Sequence, residues 1–287
     1  MKLFNTKTQE IEQFKPLHDQ VTLCVTGREL EEERQLSRLF LYCMADVLVR
    51  YLEMKGLQVK YGHIVNHPLS EDRPPSKRGA EDFAEAMRSL NVRPPERLSG
   101  MAALLESDID ILVTGDEPAP ARDDGPDAAT TSNQLPPARF RLRTARVKRA
   151  KPEATGVLAS PMAVEEMLAR FSADALRIYL GQHHYRRPWT LDQIRLEKAA
   201  QHAQKLSAAM KAKSTGDRLL NIAPARKRFE AALDNDLDTV KGIATLLNLA
   251  DEILFRAPNG YRVDDAQMAL RQMATVFGLH LDWAAPG

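Results

Sequence analysis

The chain carries almost no net charge, few cysteines and no long apolar run, and each of these absences excludes something. Lys and Arg number 40 against 39 Asp and Glu, so bulk charge does not make the molecule a polyanion binder, and any such role needs a local patch. The only cysteines, Cys24 and Cys43, lie inside apolar segments and read as buried thiols rather than a disulfide or a metal pair. No run approaches the length of a membrane span, and MKLFNTKTQE opens without the apolar core of a signal peptide, so a soluble cytoplasmic protein with no membrane partner is expected. No Cys/His spacing matches a zinc site. His63 and His67 are four apart but flank a strand end and Pro68, and the adjacent His183 and His184 would diverge by about 100° on a helix. No metal and no cofactor are expected.

What is present is a sizeable core. Over 287 residues, 44% are hydrophobic, enough for one large domain or two ordinary ones. VTLCVT, residues 21–26, reads as a strand buried on both faces. Gly27 follows, then a helix whose apolar stripe runs through Leu36, Phe40, Cys43, Val47 and Tyr51, is widened by Leu39, Met44, Leu48 and Leu52, and ends at the C-cap Gly56. LQVKYGHIV supplies a second strand and completes a βαβ unit. Helices are expected around 79–90 and 99–107, and DILV at 110–113 is a short apolar run. Residues 116–137 hold five prolines and one bulky apolar residue, Leu135, and read as a disordered linker.

ARFRLRTARVKRAK then concentrates Arg139, Arg141, Arg143, Arg146, Lys148, Arg149 and Lys151. The first three alternate with Phe140 and Leu142, as a strand with one cationic and one apolar face would. From Pro161 onward the pattern is helical, broken at Phe171–Ser172, with further helices over 190–213, 225–256 and 263–278. The division is an α/β part over 1–115, the linker 116–137, a basic strand and loop over 138–160, and a helical bundle over 161–287.

Two places invite a functional reading. Thr26 and Gly27 sit at a strand–glycine–helix junction, where unpaired backbone N–H groups can hold phosphates. The helix, however, opens with Glu29, Glu31, Glu32 and Glu33, which suit its dipole and repel phosphate, so a plain turn is favoured. Ser37, further along that helix, reads as a solvent-facing serine rather than a nucleophile, since no base is nominated for it. The basic cluster is the second place. With His184, Tyr185, Arg186, Arg187 and Trp189 it interleaves aromatics with arginines, an arrangement that can bind phosphate and stack bases. A structural patch balancing the acidic linker fits the same residues, and both readings stay open.

Several stretches resemble the bacterial cysteinyl-tRNA synthetases. MKLFNTKTQEIEQFKP is similar to their opening LxxFNTxT…FxP, DVLVRYLEMKGLQVKY to their first crossover helix and second strand, and SLNVRPPE to ALNIxxPxxEP. FSADALRIYLGQHHYRRPWTLD resembles YxAxxxRxxLxxxHYRxxLxxS, which leads into the tRNA stem-contact helices, and FEAALDNDLDT resembles FxxAMDDDxNT of the helical bundle. The resemblance spans most of 1–113 and 139–280. It implies a truncated Rossmann-like sheet, of the class I synthetase kind, followed by a helical bundle: α/β plus all-α.

The departures from the family matter as much. Gln35, Leu36, Ser37 and Arg38 occupy the slot of the ATP-binding HIGH tetrapeptide, and 153–157 read EATGV where a lysine-bearing KMSKS loop belongs. Loss of those lysines removes an electrostatic contribution of about several kcal/mol to activation. Thr26 stands where the resemblance places a zinc-binding cysteine. The implied protein is a catalytically inactive paralogue that binds tRNA or another partner. The alternatives are an aminoacyl-tRNA-dependent transferase or ligase reusing the fold in a specialised biosynthetic pathway, and a structural subunit. For the last, a lost sheet half should leave an uncovered edge for a protein partner or a homodimer.

Overall fold

The computed structural model describes residues 1–16, 18–26, 35–64, 84–98, 109–115, 138–145, 147–148 and 164–281. Gly27, the glutamates 29–33, the helix expected at 99–107, the linker 116–137 and Pro161 lie outside them. A hairpin comes first, β1 (Lys2–Asn5) and β2 (Glu10–Gln13). β3 (Gln20–Thr26), β4 (Gln58–Ile64), β5 (Glu96–Leu98), β6 (Ile109–Thr114) and β7 (Ala138–Arg143) then form one parallel sheet in the order β5-β4-β3-β6-β7. The chain steps from β3 outward to β4 and β5, then returns to place β6 and β7 on the other flank. The direction therefore reverses between β3 and β6, where the register sets Thr26 against Thr114.

Helix α1 (Gln35–Met54) crosses from β3 to β4, and Gly56 at φ +86° ends it, as the sequence predicts. Burial extends beyond even the widened stripe: every side chain from Leu39 to Val49 is buried. The sheet lies on one side of α1, and α3 (Ala173–Gly181) and α7 (Asp264–Val276) pack on the other. Asp46, at 0% exposure, is the polar pin of this seam. Its carboxylate accepts from Arg177 Nη2 at 2.5 Å, Arg50 Nε at 3.0 Å and the Arg93 N–H at 3.2 Å. Arg177 also donates to the carbonyls of Leu90 and Asn91, both at 2.6 Å.

The rest of the helical part comprises α2 (Val164–Arg170), α4 (Gln193–Lys211), α5 (Ala223–Leu233) and α6 (Thr239–Arg256). The break predicted at Phe171–Ser172 is an N-cap, with Ser172 Oγ accepting from the Ala175 N–H at 3.2 Å. The helical stretch expected over 225–256 is interrupted at 234–238, where Asp236 and Leu237 take φ +57° and +48°. Among the described residues, no helix is long and apolar enough to cross a membrane.

The uncovered sheet edge expected beside β7 is covered by the chain's own N-terminal hairpin. Thr6 donates from its N–H and its hydroxyl to the Arg141 carbonyl at 2.7 and 2.8 Å. Asn5 accepts from the Arg141 N–H at 3.1 Å and donates to the Arg139 carbonyl at 3.3 Å. One side-chain amide here satisfies both a donor and an acceptor of the strand, as a further strand would.

Candidate functional site

The carboxyl end of the sheet, at the reversal between β3 and β6, is where open α/β sheets hold ligands. Three buried threonines stand there. Thr114 Oγ1 donates to the Leu142 carbonyl at 3.4 Å and Thr144 Oγ1 to the Thr114 carbonyl at 3.3 Å. Thr26 is 2% exposed, and its hydroxyl has no hydrogen-bond partner among the described residues. Ser37 is not solvent-facing, as its sequence position suggests. Its Oγ accepts from the Val147 N–H at 3.2 Å, tying the first turn of α1 to β8 (Val147–Lys148). Sequence reasoning missed a column beside it: the Arg38 guanidinium lies 5.8 Å from the Tyr42 ring centre, and Tyr42 meets His63 edge-to-face at 5.9 Å. The i,i+4 spacing of Arg38 and Tyr42 was the available signal.

Both cysteines are free and buried, and burial pushes each thiol up to about 11, so neither is a thiolate near neutral pH. Among the described residues, no three of His, Cys, Asp and Glu come together as a metal would need.

A second site lies where three distant stretches meet on the Asp236 carboxylate. Oδ1 accepts from the Phe4 N–H at 2.8 Å and from the Tyr185 hydroxyl at 2.5 Å. Oδ2 accepts from Arg186 Nε at 2.7 Å and pairs with the same guanidinium through Nη2, while His184 Nε2 stands 3.8 Å away. The Arg186 guanidinium also lies 4.3 Å from the Phe4 ring centre. Burial, the largest influence, holds the His184 pKa below its usual value, and nearby Asp236 only partly offsets it.

The predicted basic and aromatic cluster is divided by the fold. Arg139 is spent on Asp110 at 2.7 Å and on the Lys15 carbonyl. Arg141 is half-buried, with its Nε enclosed and unbonded among the described residues, whereas Arg143 is exposed. Arg146, Arg149 and Lys151 lie outside the described residues, as does the side chain of Lys148, whose backbone pairs with β9 (Trp189–Thr190). Tyr185, at 1% exposure, and Trp189 are core residues and offer no ring to a base. Trp189 stacks on His183 at 4.0 Å and meets Phe40 of α1 edge-to-face at 5.5 Å. Arg186 is bound to Asp236, and Arg187 is exposed. The Ala145 N–H donates to the Tyr185 carbonyl at 2.5 Å, joining the end of β7 to the 184–187 connection. Exposed Lys7, Arg143 and Arg187 thus sit on three segments that converge.

No family profile matches the chain. It is similar to the cysteine–tRNA ligase of one Dehalococcoides mccartyi strain, 22% identical over 404 positions that take in all of this chain and 88% of that protein. That span exceeds the chain's own 287 residues, so long stretches of the relative have no counterpart here. The cysteine–tRNA ligase of a second strain is 30% identical over 127 residues, 43% of this chain and 28% of the relative. That of Dichelobacter nodosus is 34% identical over 117 residues, 40% of the chain and 25% of the relative. In these higher-identity matches the chain spans about a quarter of the relative's length.

Proposed function

We propose that this chain, a relative of the cysteine–tRNA ligases, does not activate cysteine and acts instead by binding tRNA through the converging segments that carry the exposed Lys7, Arg143 and Arg187. The observation that carries the first half is the carboxyl end of the sheet. Where the resemblance calls for a zinc-binding thiolate it presents the Thr26 hydroxyl, and where it calls for ATP-binding histidines it presents a turn whose Ser37 hydroxyl is committed to the β8 backbone. A threonine offers no thiolate to a zinc that would select cysteine, and a hydroxyl committed to the backbone gives the ATP phosphates no stabilising charge. The second half rests on the relatives' tRNA substrate and on exposed cations that pair with no carboxylate among the described residues. Arginine suits such a role through its planar fork.

ATP–pyrophosphate exchange with cysteine tests the first half. No exchange above background is expected, and a robust signal would overturn it. Filter binding over a salt series tests the second. The logarithm of the affinity should fall linearly with log salt, and Arg143→Ala and Arg187→Ala should each reduce the slope by about 1. Absence of binding at low salt refutes tRNA recognition.

A further inference from the structure

At the far end of the bundle two loops are pinned to each other. Thr215 donates its hydroxyl to the Ala257 carbonyl and accepts from the Gly260 N–H at 3.1 Å, and Ser214 Oγ accepts from the Val263 N–H at 3.0 Å. Arg218 and Leu219 pair in parallel with Tyr261 and Arg262. The approach is so close that a Cβ on Gly216 would meet the Gly260 carbonyl oxygen at 2.5 Å. Between these loops and the last turns of α6 runs a groove of about 580 Å³. Despite its rigid frame it leaves two large apolar side chains in water, Phe255 at 65% and Leu219 at 60% exposure.

The groove has an apolar and aromatic centre, Leu219, Phe255 and Tyr261, within a polar rim, the composition of a protein contact. Opposite charges stand on its two sides. Glu252 lines the α6 wall beside Asp251, which is paired with Lys205 at 2.8 Å; Arg218 stands on the loop beside the groove, its guanidinium 6.0 Å from the Tyr261 ring centre. Arg256 lies between the rings, 4.8 Å from Tyr261 and 5.5 Å from Phe255. A second copy turned by a two-fold axis along the groove sets Glu252 of each against Arg218 of the other, so the surface is complementary to itself.

We propose that this groove is the contact between two copies of the chain in a two-fold dimer, with Phe255 of each entering the groove of the other. The reading is independent of tRNA binding, which uses other residues. Light scattering of the full chain across a concentration series should show a shift from monomer to twice the monomer mass. Phe255→Asp, at an exposed position, should weaken association at least about tenfold without altering the circular dichroism spectrum. Glu252→Arg and Arg218→Glu should each weaken it alone, and an equimolar mixture of the two should associate as the parent does, because the mixed dimer restores both opposite-charge contacts. A monomer at every concentration refutes the proposal, as does a dimer indifferent to Phe255→Asp, or a mixture no stronger than its components. Phe255-dependent binding of a single-stranded oligoribonucleotide by a monomer would assign the groove to nucleic acid instead.

Discussion

Replacing Asp46 by alanine tests whether the α/β part and the bundle form one cooperative unit. Asp46 is fully buried, and the side chain of its partner Arg177 is 1% exposed. Without the carboxylate, Arg177 keeps only the carbonyls of Leu90 and Asn91, which do not neutralise a buried guanidinium. Removing one member of a buried pair costs about 3–5 kcal/mol, a large share of the roughly 5–15 kcal/mol that holds a domain folded. With a urea m-value of about 2–3 kcal/mol/M, the midpoint should fall by about 1–2 M. Trp189 packs on Phe40 of α1, so its fluorescence reports this seam once Trp283 is replaced by Phe. In the double variant Asp46→Leu/Arg177→Met both charges are gone, and most of the loss should be recovered. A midpoint shift below about 0.3 M for Asp46→Ala, or a double variant as unstable as the sum of its singles, would refute the reasoning.

Asp236 can be neutralised without strain, because asparagine tolerates its left-handed φ of +57°. Asp236→Asn should cost about 1.5–3 kcal/mol through the lost charge-assisted bonds to Arg186 and Tyr185, and hydrogen exchange at residues 2–6 should accelerate. A variant that left exchange there unchanged would show that β7 and the backbone bonds of Lys2 to Asp234 and Asp236 hold the hairpin without the carboxylate. Burial lowers the His183 pKa to about 4, so its neutral form stabilises the fold above about 6.5 and that stability drains as pH falls from there towards 4. The slope should approach about 1.4 kcal/mol per pH unit, and His183→Gln should flatten it relative to the parent in pH-resolved denaturation.

Two central strands and the crossover between them were legible because they are local. VTLCVT and QVKYGHI are strands, and Gly56 closes the helix between them. The alternation of ARFRLR marks β7, with Phe140 and Leu142 buried. The full burial of α1 was less legible, because a stripe reports one packing partner and this helix has two. The HHYRRPW connection misled for a related reason. It has no regular period, so nothing local distinguishes an aromatic turned inward, such as Tyr185 or Trp189, from one offered to a ligand. Asp110 gave no sign that it would neutralise Arg139, nor Asp236 that it would draw in Phe4 and Arg186, since these partners lie 29 to 232 positions apart.

The meeting at Asp236 also bears on how such a chain can change length. The hairpin, the 184–187 connection and the bundle loop are gathered at a single carboxylate rather than along a continuous run of chain. The segments between them therefore need only begin and end in the right places. Loop length enters folding free energy weakly, about 0.6 kcal/mol per doubling. A lineage can thus delete a long stretch between these anchors while the anchors keep their mutual geometry, much as a knot outlasts the trimming of its loose cord. That tolerance fits a chain of 287 residues that follows a relative across 404 aligned positions.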